Sequence, residues 1–282
     1  MEVSGAVNDI VNRSKANINR EAGDYEVNGL LHCGKCHTPK QGRYQMPWGE
    51  VMPYILCQCE RERNEKEEQE REQRKFAERV KRMRRDCFKS GKDGSKMQFW
   101  TFETDKGYNP TITTASQNYV KNFDKMLGDG KGLLFFGEVG RGKTFASVCI
   151  ANALIDKGYP CFVTNFSTLT NTISGLYEKQ AYIDSLNQYA LLVIDDLASE
   201  RNSEFMNEIV YNVIDSRYRS GLPLIITTNL TGDEIKNPAE ISKERIFSRL
   251  LEMCIPIEVK GKDRRKENLK DTFGEYKELL GL

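Results

Sequence analysis

Eight consecutive residues constrain this chain more than any other stretch: Gly137-Glu138-Val139-Gly140-Arg141-Gly142-Lys143-Thr144. They fit G-x-x-x-x-G-K-[ST], a loop whose backbone N–H groups turn inward around a β-phosphate. Such a loop works between an incoming buried strand and an outgoing helix, because the helix N-terminus supplies partial positive charge at the anion. The sequence offers both, an apolar run at 132–136 and a helical segment at 143–155. Lys143 has the reach for the β- and γ-phosphates, and the Thr144 hydroxyl is a ligand for Mg²⁺. Gly137, Gly140, Arg141, Gly142, Lys143, Thr144 and Phe145 are therefore the candidate contacts for ATP or ADP.

Downstream, apolar strand-like runs alternate with helical segments. Strands are expected at 160–164, 191–194, 224–228 and 254–259, and helices over 168–189, 202–220 and 241–252. That alternation implies an α/β domain with a parallel sheet. The run Leu191-Leu192-Val193-Ile194 ends in Asp195-Asp196, at the sheet edge where doubly wound folds hold ligands. Asp195 is a candidate Mg²⁺ ligand and Asp196 is placed to orient an attacking water; the plainer alternative is a solvated strand end. The run Leu224-Ile225-Ile226-Thr227-Thr228 delivers Asn229. Its amide reaches the γ-phosphate or the water, or else simply forms a turn.

Ahead of this domain the composition changes twice. Cys33-x-x-Cys36 and Cys57-x-Cys59 form two pairs in a turn-rich stretch. Four thiolates make a closed tetrahedral Zn²⁺ site, which stabilises a segment too small for its own core. A redox pair or a set of free thiols is the alternative. His32 and His37, the only histidines, adjoin two of these cysteines, and either could replace one as ligand. Trp48 is expected to pack over the loop. Residues 60–89 are a dense charge run without Pro or Gly, so they read as a helix. Its few apolar residues, Phe76, Val80 and Met83, share one face. That helix is either solvated and held by side-chain pairs, or an arm that docks on a partner. Residues 90–96 read as a linker.

These shifts divide the 282 residues into a zinc-binding segment at 1–60, a charged helical linker at 61–95 and the α/β domain at 96–282. Lys and Arg total 42 against 41 Asp and Glu, which excludes a polybasic tail as the main theme. Any nucleic-acid contact must come from a local patch. No apolar run is long enough to span a membrane, and the polar first twenty residues are not expected to be a secretory signal. Metal-like cysteine spacing in a chain with a sizeable core points to a reducing, cytoplasmic compartment.

The phosphate loop, the Asp195-Asp196 pair and Thr227-Thr228-Asn229 resemble Walker A, Walker B and sensor 1 of an AAA+ ATPase. The wording is narrower still. Ile194-Asp195-Asp196-Leu197-Ala198-Ser199-Glu200, Ile226-Thr227-Thr228-Asn229-Leu230 and Arg245-Ile246-Phe247-Ser248-Arg249-Leu250 resemble the DnaC/DnaI-type bacterial helicase loaders, with phage-borne relatives and IstB-type transposition ATPases. The resemblance covers residues from about Phe99 onward. It implies an AAA+ P-loop fold with the parallel sheet flanked by helices. It also implies that Arg249, with Arg245 beside it, serves as an arginine finger for a neighbouring subunit, and that Arg265 or its neighbour Arg264 is the sensor 2 arginine. Phe99 to Glu103 resembles the family's lead-in segment near the adenine, or is a set of core aromatics. A small zinc-bearing N-terminal domain also resembles the DnaI plan, where it grips the helicase.

The expectation is therefore an ATPase that loads a hexameric replicative helicase onto single-stranded DNA and self-associates through its ATPase domain. Two rivals share the core: a transposition-type ATPase on duplex DNA, and a nucleotide-dependent binding module with little turnover, since Asp196 stands where a longer glutamate could be.

Overall fold

The computed structural model describes residues 20–89, 94–197, 204–261, 263, 264, 266, 276, 277 and 279–281. The chain forms two compact units, residues 1–77 and 78–282.

The first unit is built from tight turns. Strand β1 (Tyr25–Val27) pairs antiparallel with β2 (Leu30–His32). Asn28 and Gly29 connect them with φ of +52° and +75°, the left-handed pair that a two-residue hairpin turn requires. Strands β3 (Tyr44–Met46) and β4 (Gly49–Val51) form a second hairpin. Trp48, at its tip, is 60% exposed rather than packed over the loop. With only a three-residue strand on either side, the hairpin offers no apolar surface large enough to cover an indole. Very little apolar material is buried here: Leu31, Cys33 and Cys57 are accompanied by Lys40 and Glu60. Lys40 donates to Asp24 at 2.7 Å, both side chains being almost wholly buried. That ammonium, helped by the N–H groups of Gly34 and Glu21, holds the Asp24 carboxyl down to about 2.

Helix α1 (Gln58–Cys87) is the expected charged helix, and the division between the units falls inside it. From Arg61 through Arg79 its residues are exposed. In the second unit Val80 and Met83 pack against a core that includes buried Cys87 and Phe88, and Arg84 pairs with Asp156. The last turns of the charge run therefore belong to the second unit's core. Part of the expected linker is ordered as a short helix, α2 (Gly94–Met97); residues 90–93 lie outside the described residues.

The second unit holds a five-stranded, all-parallel sheet. Its strands are β5 (Gly132–Phe136), β6 (Cys161–Asn165), β7 (Leu191–Leu197), β8 (Leu224–Thr228) and β9 (Cys254–Glu258), in the spatial order β6-β7-β8-β5-β9. Strand pairs made of nearly continuous aliphatic residues need helices on both faces. Side chains alternate accordingly: Leu134, Leu192 and Ile194 enter one core, and Leu133, Phe135, Leu191 and Val193 enter the other. Each fully buried aliphatic contributes about 1.5–3 kcal/mol.

Two helices ahead of the sheet, α3 (Pro110–Lys121) and α4 (Phe123–Gly128), have no counterpart among the expected elements. The first is marked by Asn109, which caps it by accepting from the Ile112 N–H, and by Pro110 at its first position. Further helices among the described residues are α5 (Lys143–Asp156), α6 (Phe166–Ser174), α7 (Lys179–Ser185), α8 (Glu204–Ser220), α9 (Gly232–Lys236) and α10 (Ile241–Met253). The helical stretch expected over 168–189 is thus interrupted between α6 and α7, where Gly175 caps the first helix. Among the described residues no helix is long and apolar enough to cross a membrane.

Candidate functional site

The phosphate loop leaves the C-terminal end of β5, the strand flanked by β8 and β9, and feeds α5. Gly137, Gly140 and Gly142 all have positive φ, at 122°, 81° and 98°, so each glycine occupies backbone space that other residues rarely adopt. Lys143 is buried, and its ammonium donates to the carbonyls of Gly137 and Glu138 at 2.6 and 2.7 Å. It lies folded into the loop it serves. Arg141 contacts Glu138 and the Gly261 carbonyl.

Opposite the loop, β7 carries the two acids on a bulge. Its register with β8 runs Ile194↔Ile226 and resumes at Leu197↔Thr228, one residue longer on the β7 side. Strand β7 therefore continues past the acids to Leu197 instead of ending before them. Asp196 sits in the left-handed region, with φ +59°. Thr227 stabilises this shape by accepting from the Asp196 N–H at 2.9 Å and donating to Asp195 at 2.5 Å. The bulge aims the two acids at different tasks. Asp195 accepts from the Thr144 hydroxyl at 2.9 and 3.1 Å. Burial pushes its carboxyl up, against the hydrogen bonds from Thr227 and Thr144 that favour the charged form. Asp196 instead accepts from the Asn229 amide at 2.9 Å. So Lys143, Thr144, Asp195, Asp196 and Asn229 come from three elements to one sheet edge. The hydroxyl of Thr144 and the carboxylate of Asp195 are hard oxygen donors side by side, a pair suited to Mg²⁺.

Phe145 follows on α5, with the Trp100 ring 5.7 Å away. Trp100 and Phe102 pack on the core, whereas Phe99 is 67% exposed. Arg265 lies outside the described residues, as do Ala198, Ser199 and Glu200. Its neighbour Arg264 lies on the phosphate loop. Its N–H donates to the Gly140 carbonyl at 2.8 Å, and its guanidinium stands 3.9 Å from the Phe145 ring centre.

Arg249 is not gathered with these residues. Its guanidinium lies against α8, 4.4 Å from the Tyr218 ring centre and 3.5 Å from Asp215. Arg245 lies 4.5 Å from the Tyr211 ring centre on the same helix. Together with Glu244, Ser248 and Glu252 they line an open cavity of about 430 Å³.

In the first unit, the Sγ atoms of Cys33, Cys36, Cys57 and Cys59 all lie within 4.8 Å of one another. Cys33 and Cys57 stand 3.6 and 3.4 Å from Cys59. Four thiolates at ~2.3 Å around Zn²⁺ would be about 3.8 Å apart, so the donor set fits the ion. The Thr38 hydroxyl and backbone N–H groups draw the Cys36 thiol down to about 5, while burial pushes Cys57 up. The histidines are engaged elsewhere: a ring nitrogen of His32 meets the Leu30 carbonyl, and one of His37 meets the Tyr25 hydroxyl. Cys87, Cys149, Cys161 and Cys254 are buried singly in the second unit, as small hydrophobes.

The sequence reading missed Thr227 as a hinge of the acid pair, although it lies inside a quoted motif. It also missed Asp105 and Tyr108, which meet Arg264 from a segment without a nucleotide motif, and Thr113, which donates to Asp105.

The family model described as IstB-like ATP binding protein matches residues 63–272. The chain is 27% identical over 161 residues to the replicative helicase loader DnaI of Bacillus subtilis (strain 168), covering 52% of this chain and 51% of that protein. It is 26% identical over 141 residues to the replicative helicase loader DnaC of Escherichia coli (strain K12), covering 48% of this chain and 55% of that one. The chain thus spans about half the length of these curated relatives. A crystal structure of the DnaC helicase loader superposes with a TM-score of 0.52 at 25% identity, covering 58% of this chain and 99% of that structure.

Proposed function

The chain belongs to the IstB-like ATP-binding proteins, AAA+ ATPases of the DnaC/IstB clade, and from that premise we propose that it is an ATP-dependent loader of a hexameric replicative helicase. The observation that carries the reading is the pairing, on one chain similar to loader proteins, of a phosphate-loop site with a separate four-cysteine unit. Residues 1–60 hold Zn²⁺ through Cys33, Cys36, Cys57 and Cys59 and grip the helicase. Residues 61–95 space that grip from the ATPase domain at 96–282.

In the ATPase site, Lys143 turns from its loop carbonyls to the β- and γ-phosphates. Thr144 and Asp195 hold Mg²⁺, which supplies charge neutralisation at the phosphates. Asp196 orients the attacking water, and Asn229 fixes Asp196 through their hydrogen bond. Arg249 completes the site of the next subunit, where a guanidinium stabilises charge developing on the γ-phosphate. That role suits a side chain whose own partners lie on α8, away from the phosphate loop of its own chain. ATP binding assembles subunits and engages single-stranded DNA; hydrolysis releases the loader.

A transfer assay tests this. The replicative helicase from the same source is mixed with circular single-stranded DNA, ATP and the protein. Loading is expected to require all three and to fail with Lys143→Ala. A protein that leaves helicase occupancy unchanged is not a loader. A second reading, kept because the matching family is IstB-like, is a transposition-type ATPase that coats duplex DNA. ATP-dependent binding to duplex in preference to single strands would select it.

A further inference from the structure

Lys260, Gly261 and Arg264 are clamped between the phosphate loop and a stretch well upstream of it. On one side, Arg141 holds the Gly261 carbonyl and Gly140 accepts from the Arg264 N–H. A side chain at Gly142 would collide with the Arg264 stem, so arginine and loop are in direct contact. On the other side, Asn109 donates to the Lys260 carbonyl. The Arg264 side chain at the centre of this clamp is only 14% exposed. Its guanidinium lies 3.9 Å from the Phe145 ring centre and 5.3 Å from that of Tyr108, and Nη1 donates to Asp105 Oδ1 at 2.8 Å.

Asp105 is the less expected member. Its side chain is 5% exposed, and its second oxygen accepts from the Thr113 hydroxyl at 2.5 Å. It is thus fixed at both oxygens, one toward helix α3 and one toward the arginine. A buried carboxylate beside an anion-binding loop opposes the loop's task, because it cancels positive charge that the phosphates would otherwise meet. The arrangement makes sense when the carboxylate belongs to the arginine.

We propose that Asp105 is the resident counter-ion and positioning residue of Arg264, and that Arg264 passes from Asp105 toward the phosphates of a bound nucleotide. With no nucleotide, the pair keeps the guanidinium buried and over the Phe145 ring at the loop. When nucleotide arrives, its phosphates compete with Asp105 for the same N–H donors. Asp105 thereby lowers nucleotide affinity and speeds release, which an ATPase that cycles between bound and free states requires. The inference rests on the ATP site, not on the loader reading, so the two fail separately.

The test is a double-mutant cycle on the full chain, read by the fluorescence of N-methylanthraniloyl-ADP with Mg²⁺. Asp105→Asn keeps the shape and an acceptor for Arg264 but removes the charge. It is expected to tighten binding about fivefold, the worth of about one guanidinium hydrogen bond released to the phosphates. Arg264→Met is expected to weaken binding, and Asp105→Asn added to it should then change nothing, because the carboxylate acts through the arginine. If Arg264→Met does not melt cooperatively, Arg264→Gln takes its place. A merely structural Asp105 predicts weaker binding in Asp105→Asn. That result, no change, or the same tightening with Arg264 absent would overturn the proposal.

Discussion

The two units of this chain bury their interiors by opposite means. The second is an aliphatic sheet sealed by helices on both faces, with two continuous apolar cores. Among its described residues the first buries one aliphatic side chain, two cysteines, a lysine and a glutamate. In the second unit, stability is spread over dozens of side chains, so its polar site residues are free to serve chemistry. In the first unit, a few polar contacts carry the fold. Tyr54 donates to Glu60 at 2.5 Å, Lys40 pairs with Asp24, and the four thiols converge. Losing one of them should be felt by the whole unit, whereas losing a site lysine in the second unit should be felt only by the reaction.

That contrast can be broken most sharply at Lys143. Lys143→Ala should reduce ATP turnover by at least about 100-fold while the melting transition of the second unit stays in place. A large fall in melting temperature would show that the lysine is structural. Next comes Cys33→Ser, expected to abolish stoichiometric zinc by elemental analysis and to open residues 20–57 to protease. A structural zinc contributes on the order of 10 kcal/mol to a segment of this size. Basal ATP turnover should remain within about twofold, and a collapse of that turnover would show the units to be one cooperative block.

A smaller effect is expected at Lys40. Lys40→Ala leaves Asp24 buried without its cation and should destabilise the first unit by about 3 kcal/mol or more, read from its own denaturant transition. The pH dependence sharpens the same point. Asp24 has its folded value depressed to about 2 from 3.8. Its contribution is therefore present above pH 3.8 and is lost as pH falls from 3.8 through about 2. In Lys40→Ala this acid-side loss should flatten. The smallest effect belongs to the exposed stretch of α1. Glu70→Ala removes a 3.7 Å pair with Arg74 and should change stability by less than about 0.5 kcal/mol, which circular dichroism melting would check.

How legible each unit was follows from the same contrast. Strands β5 and β8 and helix α5 could be read nearly to the residue, because runs such as Gly132–Phe136 and Leu224–Thr228 are both apolar and bounded by turn or loop signals. The phosphate loop was legible because glycines at fixed spacing have a backbone reason to be there. The bulge that separates Asp195 from Asp196 was not, since it depends on Thr227 from a neighbouring strand. Arg217 shows the same limit. Its fully buried guanidinium donates to the carbonyls of Leu186, Tyr189, Ala190 and Pro223, which only the folded chain brings together. In the first unit, the Asn28-Gly29 hairpin turn went unread although its residue pair is a known turn signal. The partnership of Lys40 with Asp24, sixteen residues apart, was not legible.

The claim at the centre of this account is that grip and power reside in different units of one loader. Light scattering on the intact protein mixed with the replicative helicase from the same source, in ATP, tests it most directly. Lys143→Ala should still form the complex, and a Cys33→Ser, Cys36→Ser variant should not. A complex that survives loss of the cysteines, or no complex with the unaltered chain, would contradict it.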